Sequence, residues 1–291
     1  MPQGIIIKGI GGFYYVSVGG KVLECKARGK FRKEKITPLV GDRVDVVEEY
    51  GGYIIQNIYP RITKLIRPSV ANVDQAVIAF ACMKPSPNLN LLDKFLIMSS
   101  YNKLKTVICM NKIDLMSERD GCKILEHYSK AGYKCIYTST VTGEGIEDLK
   151  KELKNVITVF AGPSGVGKSS MLNKVQSSLR LKTGDISEKS ERGKNTTRHT
   201  ELLELKGGGY VVDTPGFSSL DISFIPKDEL QDYFPEFSDF RGYCRYAHCS
   251  HINEPGCAVK EAVRGNIIDD MRYTSYTRLY DELSRIRRSY K

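Results

Sequence analysis

The sequence predicts a three-part chain: an OB-like β-barrel to residue 70, a doubly wound α/β domain over 71–221, and a mostly helical, metal-binding tail over 222–291. Three observations predict it. Near the start, short alternating apolar stretches are separated by glycine turns; further on, continuous apolar β-branched runs alternate with helical patterns. Beyond residue 240, three cysteines and a histidine crowd into one turn-rich stretch.

The barrel is read from apolar alternation around Ile5, Tyr14, Val44 and Ile54. Residues 1–70 hold 12 Lys and Arg against 6 Asp and Glu, a surplus of six within a total net charge of +10. Much of it lies in Cys25-Lys-Ala-Arg-Gly-Lys-Phe-Arg-Lys-Glu-Lys35. Short strands with a basic loop suit an OB-like barrel that binds RNA, and a small SH3-like barrel fits nearly as well.

In the second part, Val156 to Ala161 reads as a buried strand, and Gly162-Pro-Ser-Gly-Val-Gly-Lys-Ser169 then matches G-x-x-x-x-G-K-S/T. Such a loop surrounds phosphates with backbone N–H groups, here from Gly162, Ser164, Gly165, Val166 and Gly167 onward, with Pro163 a member of the loop that has no N–H to donate. The following helix, with Met171, Leu172, Val175 and Leu179 on one face, turns a positive N-terminal dipole toward the anion. Lys168 places its charge between the β- and γ-phosphates, the Ser169 hydroxyl is the magnesium ligand, and Ser170 continues the binding turn. The same loop also resembles that of guanylate kinases, so a nucleotide kinase is an alternative.

The base is read from Thr106-Val-Ile-Cys-Met-Asn-Lys-Ile-Asp114, an apolar strand ending in N-K-x-D at Asn111, Lys112, Ile113 and Asp114. Thr138-Ser139-Thr140 ends a second strand beside it. Asp114 can accept guanine N1–H and the exocyclic amine together. Adenine lacks that pair of donors and would leave a buried carboxylate unpaired, so discrimination of roughly 10⁴-fold is within reach.

The third element is Tyr210-Val-Val-Asp-Thr-Pro-Gly216, a strand ending in D-x-x-G: Asp213 is the candidate to hold magnesium through water, and the Gly216 amide to sense the γ-phosphate. Thr200 to Leu205 and Tyr210 to Asp213 flank Lys206-Gly-Gly-Gly209 as a hairpin. Upstream, the polar, basic Gly193-Lys-Asn-Thr-Thr-Arg-His199 reads as a switch loop, with Thr197 supplying the second magnesium hydroxyl and Thr196 as the alternative.

The motifs therefore run base, base, phosphate, switch, switch, the reverse of the order in small GTPases. In that order, and with the tail cysteines, the chain resembles the circularly permuted GTPases of the RsgA (YjeQ) family. The resemblance covers nearly the whole length. It implies slow GTP hydrolysis with Mg²⁺, stimulated by the small (30S) ribosomal subunit late in its maturation. One departure concerns the attacking water. The family usually carries a histidine before the paired threonines, where this chain has Asn195, and Ras-like proteins carry glutamine after the D-x-x-G glycine, where it has Phe217. Very slow intrinsic turnover follows, with Asn195 or His199 as local candidates. A GTP-gated rRNA-binding assembly chaperone with negligible turnover is the second alternative.

In the tail, Cys244-x₄-Cys249-x-His251-x₅-Cys257 offers three thiols and one imidazole, a full set for one structural Zn²⁺. His248 is the other available imidazole; the family register points to His251. Chelation should unfold the tail without abolishing GTP binding.

Charge and composition limit the partners. Basic patches at the barrel and at Ser284-Arg-Ile-Arg-Arg-Ser-Tyr-Lys291 flank the nucleotide motifs and point to 16S rRNA rather than DNA. No apolar run approaches the roughly 20 residues that span a bilayer, and the N-terminus lacks a signal pattern, so a cytoplasmic protein with no membrane partner, monomeric by default, is expected. Cys82 and Cys109 lie in apolar runs and read as buried, reduced thiols. Because Gly216-Phe-Ser-Ser-Leu-Asp221 leads almost directly into the tail, the second switch is expected to connect the γ-phosphate to the tail's position.

Overall fold

The computed structural model describes residues 1–49, 51–116, 122–179, 181, 200–212 and 220–286. Alternation at the start of the chain produces β1 (Gln3–Ile10), β2 (Phe13–Val18) and β3 (Lys21–Ala27), then helix α1 (Gly29–Lys33), β4 (Arg43–Glu49) and β5 (Gly52–Ile58). They close into a barrel in the order β1-β2-β3-β5-β4, with β3 and β5 parallel and the other pairs antiparallel. A parallel pair cannot be joined by a hairpin, so the chain must cross over, and α1 with β4 makes that crossing. This is the OB arrangement, and the SH3-like alternative falls away. Ile6, Val16, Cys25, Val44, Val46 and Ile55 fill the interior, and Phe31 is the buried residue that α1 contributes. Part of the basic stretch is spoken for: Arg28 pairs with Glu49, and Lys30 Nζ donates to Asn57 Oδ1 at 3.2 Å.

The join to the next part is tied rather than loose. Asp42 is fully buried and accepts from Arg61 Nε at 2.7 Å and Nη2 at 2.8 Å, while Asn72 Nδ2 donates to the Gly41 carbonyl at 3.0 Å. A short ribbon of β6 (Lys64–Leu65) and β7 (Val70–Ala71) marks the passage.

The continuous apolar run Gln75–Ala81 becomes β8, buried at every position, as expected of a strand covered on both faces. After it come α2 (Leu89–Tyr101), β9 (Lys105–Asn111), α3 (Cys122–Lys130), β10 (Lys134–Tyr137), α4 (Ile146–Glu152), β11 (Ile157–Ala161), α5 (Lys168–Val175), β12 (Leu202–Glu204) and β13 (Tyr210–Val212). The sheet order is β10-β9-β8-β11-β13-β12, parallel except at the β12 edge. Ile78 and Phe80 face one core with Leu92, Phe95 and Leu96 of α2; Val77 and Ala79 face the other with Leu149 of α4 and Met171 of α5. The expected hairpin around Lys206 is present. Lys8 of β1 makes a single antiparallel bridge to Glu201, just before β12, and their side chains pair at 2.8 Å.

α5 ends earlier than the apolar spacing suggests, at Val175, and Leu179 lies in a separate 3₁₀ turn. Asn173 explains it. Its Nδ2 donates to the Leu181 carbonyl at 2.8 Å and its Oδ1 accepts from the Leu181 amide at 2.9 Å, folding the chain back. Cys109 is buried as expected, whereas Cys82 is only half-buried because it sits at the exposed C-terminal end of β8.

In the tail, 3₁₀ turns at Lys227–Tyr233, Pro235–Phe237 and Arg241–Tyr243 precede α6 (Ala258–Arg264) and α7 (Asp270–Arg285). Phe234, Phe237, Tyr276 and Leu279 form its core, and Ile97 of α2 belongs to the same cluster. The tail therefore closes its core on a helix of the nucleotide-binding part.

Candidate nucleotide and metal sites

β11 lies between β8 and β13, and the chain leaves its C-terminal end through the glycine-rich loop into α5. The crevice beyond the carboxyl ends of such strands is where an α/β sheet binds ligands. Gly162 has φ +134°, and a Cβ there would lie 2.0 Å from the Ala79 carbonyl oxygen, so only glycine allows the loop to leave against β8. Lys168 Nζ folds over the loop and donates to the carbonyls of Gly162 at 2.9 Å and Pro163 at 2.6 Å. Burial lowers its pKa from the ordinary lysine value. Val166 is buried, and Lys168, Ser169 and Ser170 form the first turn of α5. Backbone amides in a loop of this kind, together with the Lys168 ammonium, are groups that can bind an anion.

The two base segments come to the same edge. Asn111, fully buried at the end of β9, donates from Nδ2 to the Val166 carbonyl at 2.8 Å and accepts at Oδ1 from Thr138 at 3.1 Å. Lys112 adopts a left-handed φ of 64°; its carbonyl accepts from the Cys82 thiol, and its Nζ donates to the Lys84 carbonyl at 2.5 Å. The Ile113 amide donates to Thr138 O at 3.3 Å. Asp114 accepts from Ser139 Oγ at 2.5 Å, and Ser139 Oγ in turn accepts from the amides of Val141 and Thr142, both at 3.1 Å. One oxygen of Asp114 is thereby fixed, although the residue as a whole is exposed. Lys84 enters this frame without a sequence signal of its own, and the bonds of Cys82 to Lys112 and of Thr138 to Asn111 could not be read from the sequence because each is made between distant positions.

The candidates on the switch segments, Asn195, Thr196, Thr197 and His199, and Asp213 with Gly216 and Phe217, lie outside the described residues.

In the tail, Cys244, Cys249, His251 and Cys257 bring their ligand atoms within 4.8 Å of one another. His251 Nδ1 lies 3.5 Å from Cys244 Sγ and 3.3 Å from Cys257 Sγ, and those two sulfurs are 3.9 Å apart. A tetrahedron with zinc–sulfur bonds of about 2.3 Å and zinc–nitrogen bonds of about 2.1 Å has edges of roughly 3.6–3.8 Å. The residues fit such an ion. His248 is exposed and takes no part in the cluster. Burial pushes the Cys249 thiol up to about 12 and lowers the His251 pKa, so a divalent cation would meet a neutral imidazole and displace thiol protons.

Two partners of this centre had no sequence signal. Gln231 Oε1 lies 2.8 Å from His251 Nε2, which fixes the tautomer and leaves Nδ1 free as a ligand. Glu254 accepts from the Ser250 amide at 2.8 Å, the Ser250 hydroxyl at 2.7 Å and the Ile252 amide at 3.2 Å, pinning the loop that carries His251.

Known proteins share this arrangement. The family described as RsgA GTPase matches residues 58–223, and the RsgA N-terminal domain matches residues 3–54. A small ribosomal subunit biogenesis GTPase RsgA of Caldanaerobacter subterraneus is 53% identical over 292 residues, covering 99% of this chain and 98% of that protein. The protein of the same name from Clostridium acetobutylicum is 51% identical over 289 residues, covering 99% of this chain and all of the other. Among solved structures, YjeQ from Thermotoga maritima superposes with a TM-score of 0.85 at 39% identity, covering 98% of this chain and 99% of that one. YloQ, described as a circularly permuted GTPase, superposes with a TM-score of 0.84 at 38% identity, covering 100% and 97%.

Proposed function

The chain belongs to the RsgA family of circularly permuted GTPases and is a GTP hydrolase, and from that premise we propose that it binds the small (30S) ribosomal subunit and hydrolyses GTP in a ribosome-stimulated manner late in subunit maturation. The observation that carries the proposal is the full-length likeness to proteins named for small ribosomal subunit biogenesis, at about half identity across nearly every residue.

In this reading the loop from Gly162 to Gly167, with Lys168 and Ser170, holds the phosphates of GTP, and Asn111, Lys112, Ile113, Asp114 and Ser139 hold the guanine. Ser169 and Thr197 supply magnesium ligands, with Asp213 acting through water. Asn195, Thr197 and Gly216 serve hydrolysis. Cys244, Cys249, His251 and Cys257 hold a structural Zn²⁺. The three units are the barrel to residue 70, the GTPase domain over 71–221 and the zinc domain over 222–291. The barrel's basic loop and the C-terminal bases contact 16S rRNA, and the protein acts as a monomer in the cytoplasm; no described helix is long and apolar enough to cross a membrane.

The chemistry follows from positioning. The loop amides and Lys168 neutralise charge that grows on the phosphates during transfer, and a magnesium ion held by Ser169 and Thr197 would add to that neutralisation. Phe217 offers nothing to orient water. A second reading rests on that residue together with Asn195: a GTP-gated rRNA-binding assembly chaperone with negligible turnover.

The test is GTP turnover by the purified protein, alone and with isolated small subunits, with large subunits and Asp114→Asn as controls. Stimulation by small subunits alone is expected. Tight GTP binding without any stimulation would leave the nucleotide-gated binder instead.

A further inference from the structure

Arg272 projects from the first turn of α7 into the seam between the tail and the nucleotide domain, and its side chain is 1% exposed. Its Nη1 donates to Asp93 of α2, itself 1% exposed, and its Nε donates to Glu236 of the tail at 2.7 Å. Three rings surround the guanidinium: Phe234 of the tail at 4.6 Å, Tyr128 of α3 at 5.2 Å and Tyr133 at 5.7 Å from its carbon. One cation thus touches both sides of the seam.

The rest of the seam agrees with it. His127 Nδ1 of α3 lies 2.7 Å from Asp269, the residue that caps α7, and Lys94 of α2 pairs with Glu282 of α7 at 2.6 Å. Ile97 of α2 is 1% exposed within the same apolar cluster as Cys249 and Cys257. The opposite face of α2 packs Leu92, Phe95 and Leu96 on the sheet whose strand ends carry the nucleotide motifs.

A pair of this kind has no cheap partly open state. A slip of α7 that separates Arg272 from Asp93 without admitting water leaves a buried carboxylate unpaired, which is far more costly than either the closed or the fully hydrated arrangement. The seam is therefore all-or-none, and α2 is common to the cores on both sides.

We propose that Arg272 joins the metal lobe and the nucleotide domain into one cooperative unit, so that the metal centre cannot open unless the α2 face of the nucleotide domain opens with it. The proposal rests on reading the four tail ligands as a zinc centre and the loop at Gly162 as a guanine-nucleotide site. By linkage, nucleotide then retains the metal, and metal supports nucleotide binding. On this proposal, chelation that unfolds the tail also weakens GTP binding, where the sequence alone led us to expect that GTP binding would not be abolished.

The experiment uses the full chain, with its metal content and its affinity for a fluorescent GDP measured first. A chromophoric chelator is added, and metal release is timed with and without GDP. At GDP about 100 times its Kd, release that requires opening of the nucleotide domain slows by up to about 100-fold. In Arg272→Met, release should be faster and the GDP effect should disappear. Should Arg272→Met fail to fold, Asp93→Asn, which keeps the side-chain shape and removes the charge, is read in the same way. Equal release rates with and without GDP in the unaltered protein overturn the proposal, as does undiminished GDP protection in either variant. A chain that holds no metal, or binds no GDP, overturns the underlying site reading and the proposal with it.

Discussion

The side chain of Asn111 reaches from the end of β9 to the phosphate loop, where its Nδ2 donates to the Val166 carbonyl at 2.8 Å. The end of β9 and the glycine-rich loop, joined by residues 55 positions apart, are thus one piece of structure.

Asn111→Ala leaves the Val166 carbonyl buried without that donor. The loss of about 1–3 kcal/mol should appear as weaker GDP binding and a lower melting temperature. Fluorescent GDP titration and thermal denaturation check it; unchanged affinity would mean that the loop holds its shape without the brace.

Ser139→Ala frees the Asp114 carboxylate to rotate and deprives the Val141 and Thr142 amides of their acceptor. Guanine over adenine selectivity should fall by about tenfold, which corresponds to about 1.4 kcal/mol. Competition of GTP and ATP for the site measures it.

Gln231→Ala removes the partner of His251 Nε2 while leaving all four ligands in place. Zinc affinity should fall by about 10–100-fold. Titration against a chelator of known affinity gives the value, and a change no larger than that of an exposed control such as Gln3→Ala would exclude the role.

Arg272→Met strands Asp93 and Glu236 in the seam and should destabilise the protein by about 3–5 kcal/mol. Combining it with Asp93→Leu and Glu236→Leu should restore most of that loss, because an apolar seam has no charge to desolvate. Urea denaturation of the two variants distinguishes a buried-charge effect from a simple loss of packing.

Asp269 caps α7 through the Met271 amide and faces His127. Burial raises its pKa, but the hydrogen bonds and charge of His127 together with backbone amides outweigh that, and the net shift is downward from 3.8. A lowered carboxyl stabilises the fold fully above its unfolded value and loses that contribution as the pH falls through its folded one. The stability difference between the parent and Asp269→Ala, about 1 kcal/mol at neutral pH, should therefore shrink below pH 3.8.

Much of this was readable in residue types. Gly162, Lys168, Asn111 and Asp114 stand out as candidates because phosphate and guanine demand those groups at fixed spacing, and the cysteines with His251 stand out as a candidate metal set that the fold brings together. What escaped depends on pairing between distant positions. The barrel could be told from an SH3-like one only through the parallel contact of β3 with β5. Arg272 reads as an ordinary surface base until the fold sets it against Asp93, 179 positions earlier. Asn173 has helix-compatible neighbours, and it is the two bonds it makes to Leu181, with those of Gln176 to Glu204 and Lys206, that accompany the end of α5.

The bridge between Lys8 and Glu201 bears on self-association. Beside it lies β12, the outer strand of the six-stranded sheet among the described residues, and an outer strand is the kind of edge that can pair with a second copy. With a lysine from the barrel laid alongside its start, that margin is guarded within the same molecule. Among the described residues, the barrel thus lies against the start of the sheet's outer strand, where a charged side chain disfavours pairing with a further strand.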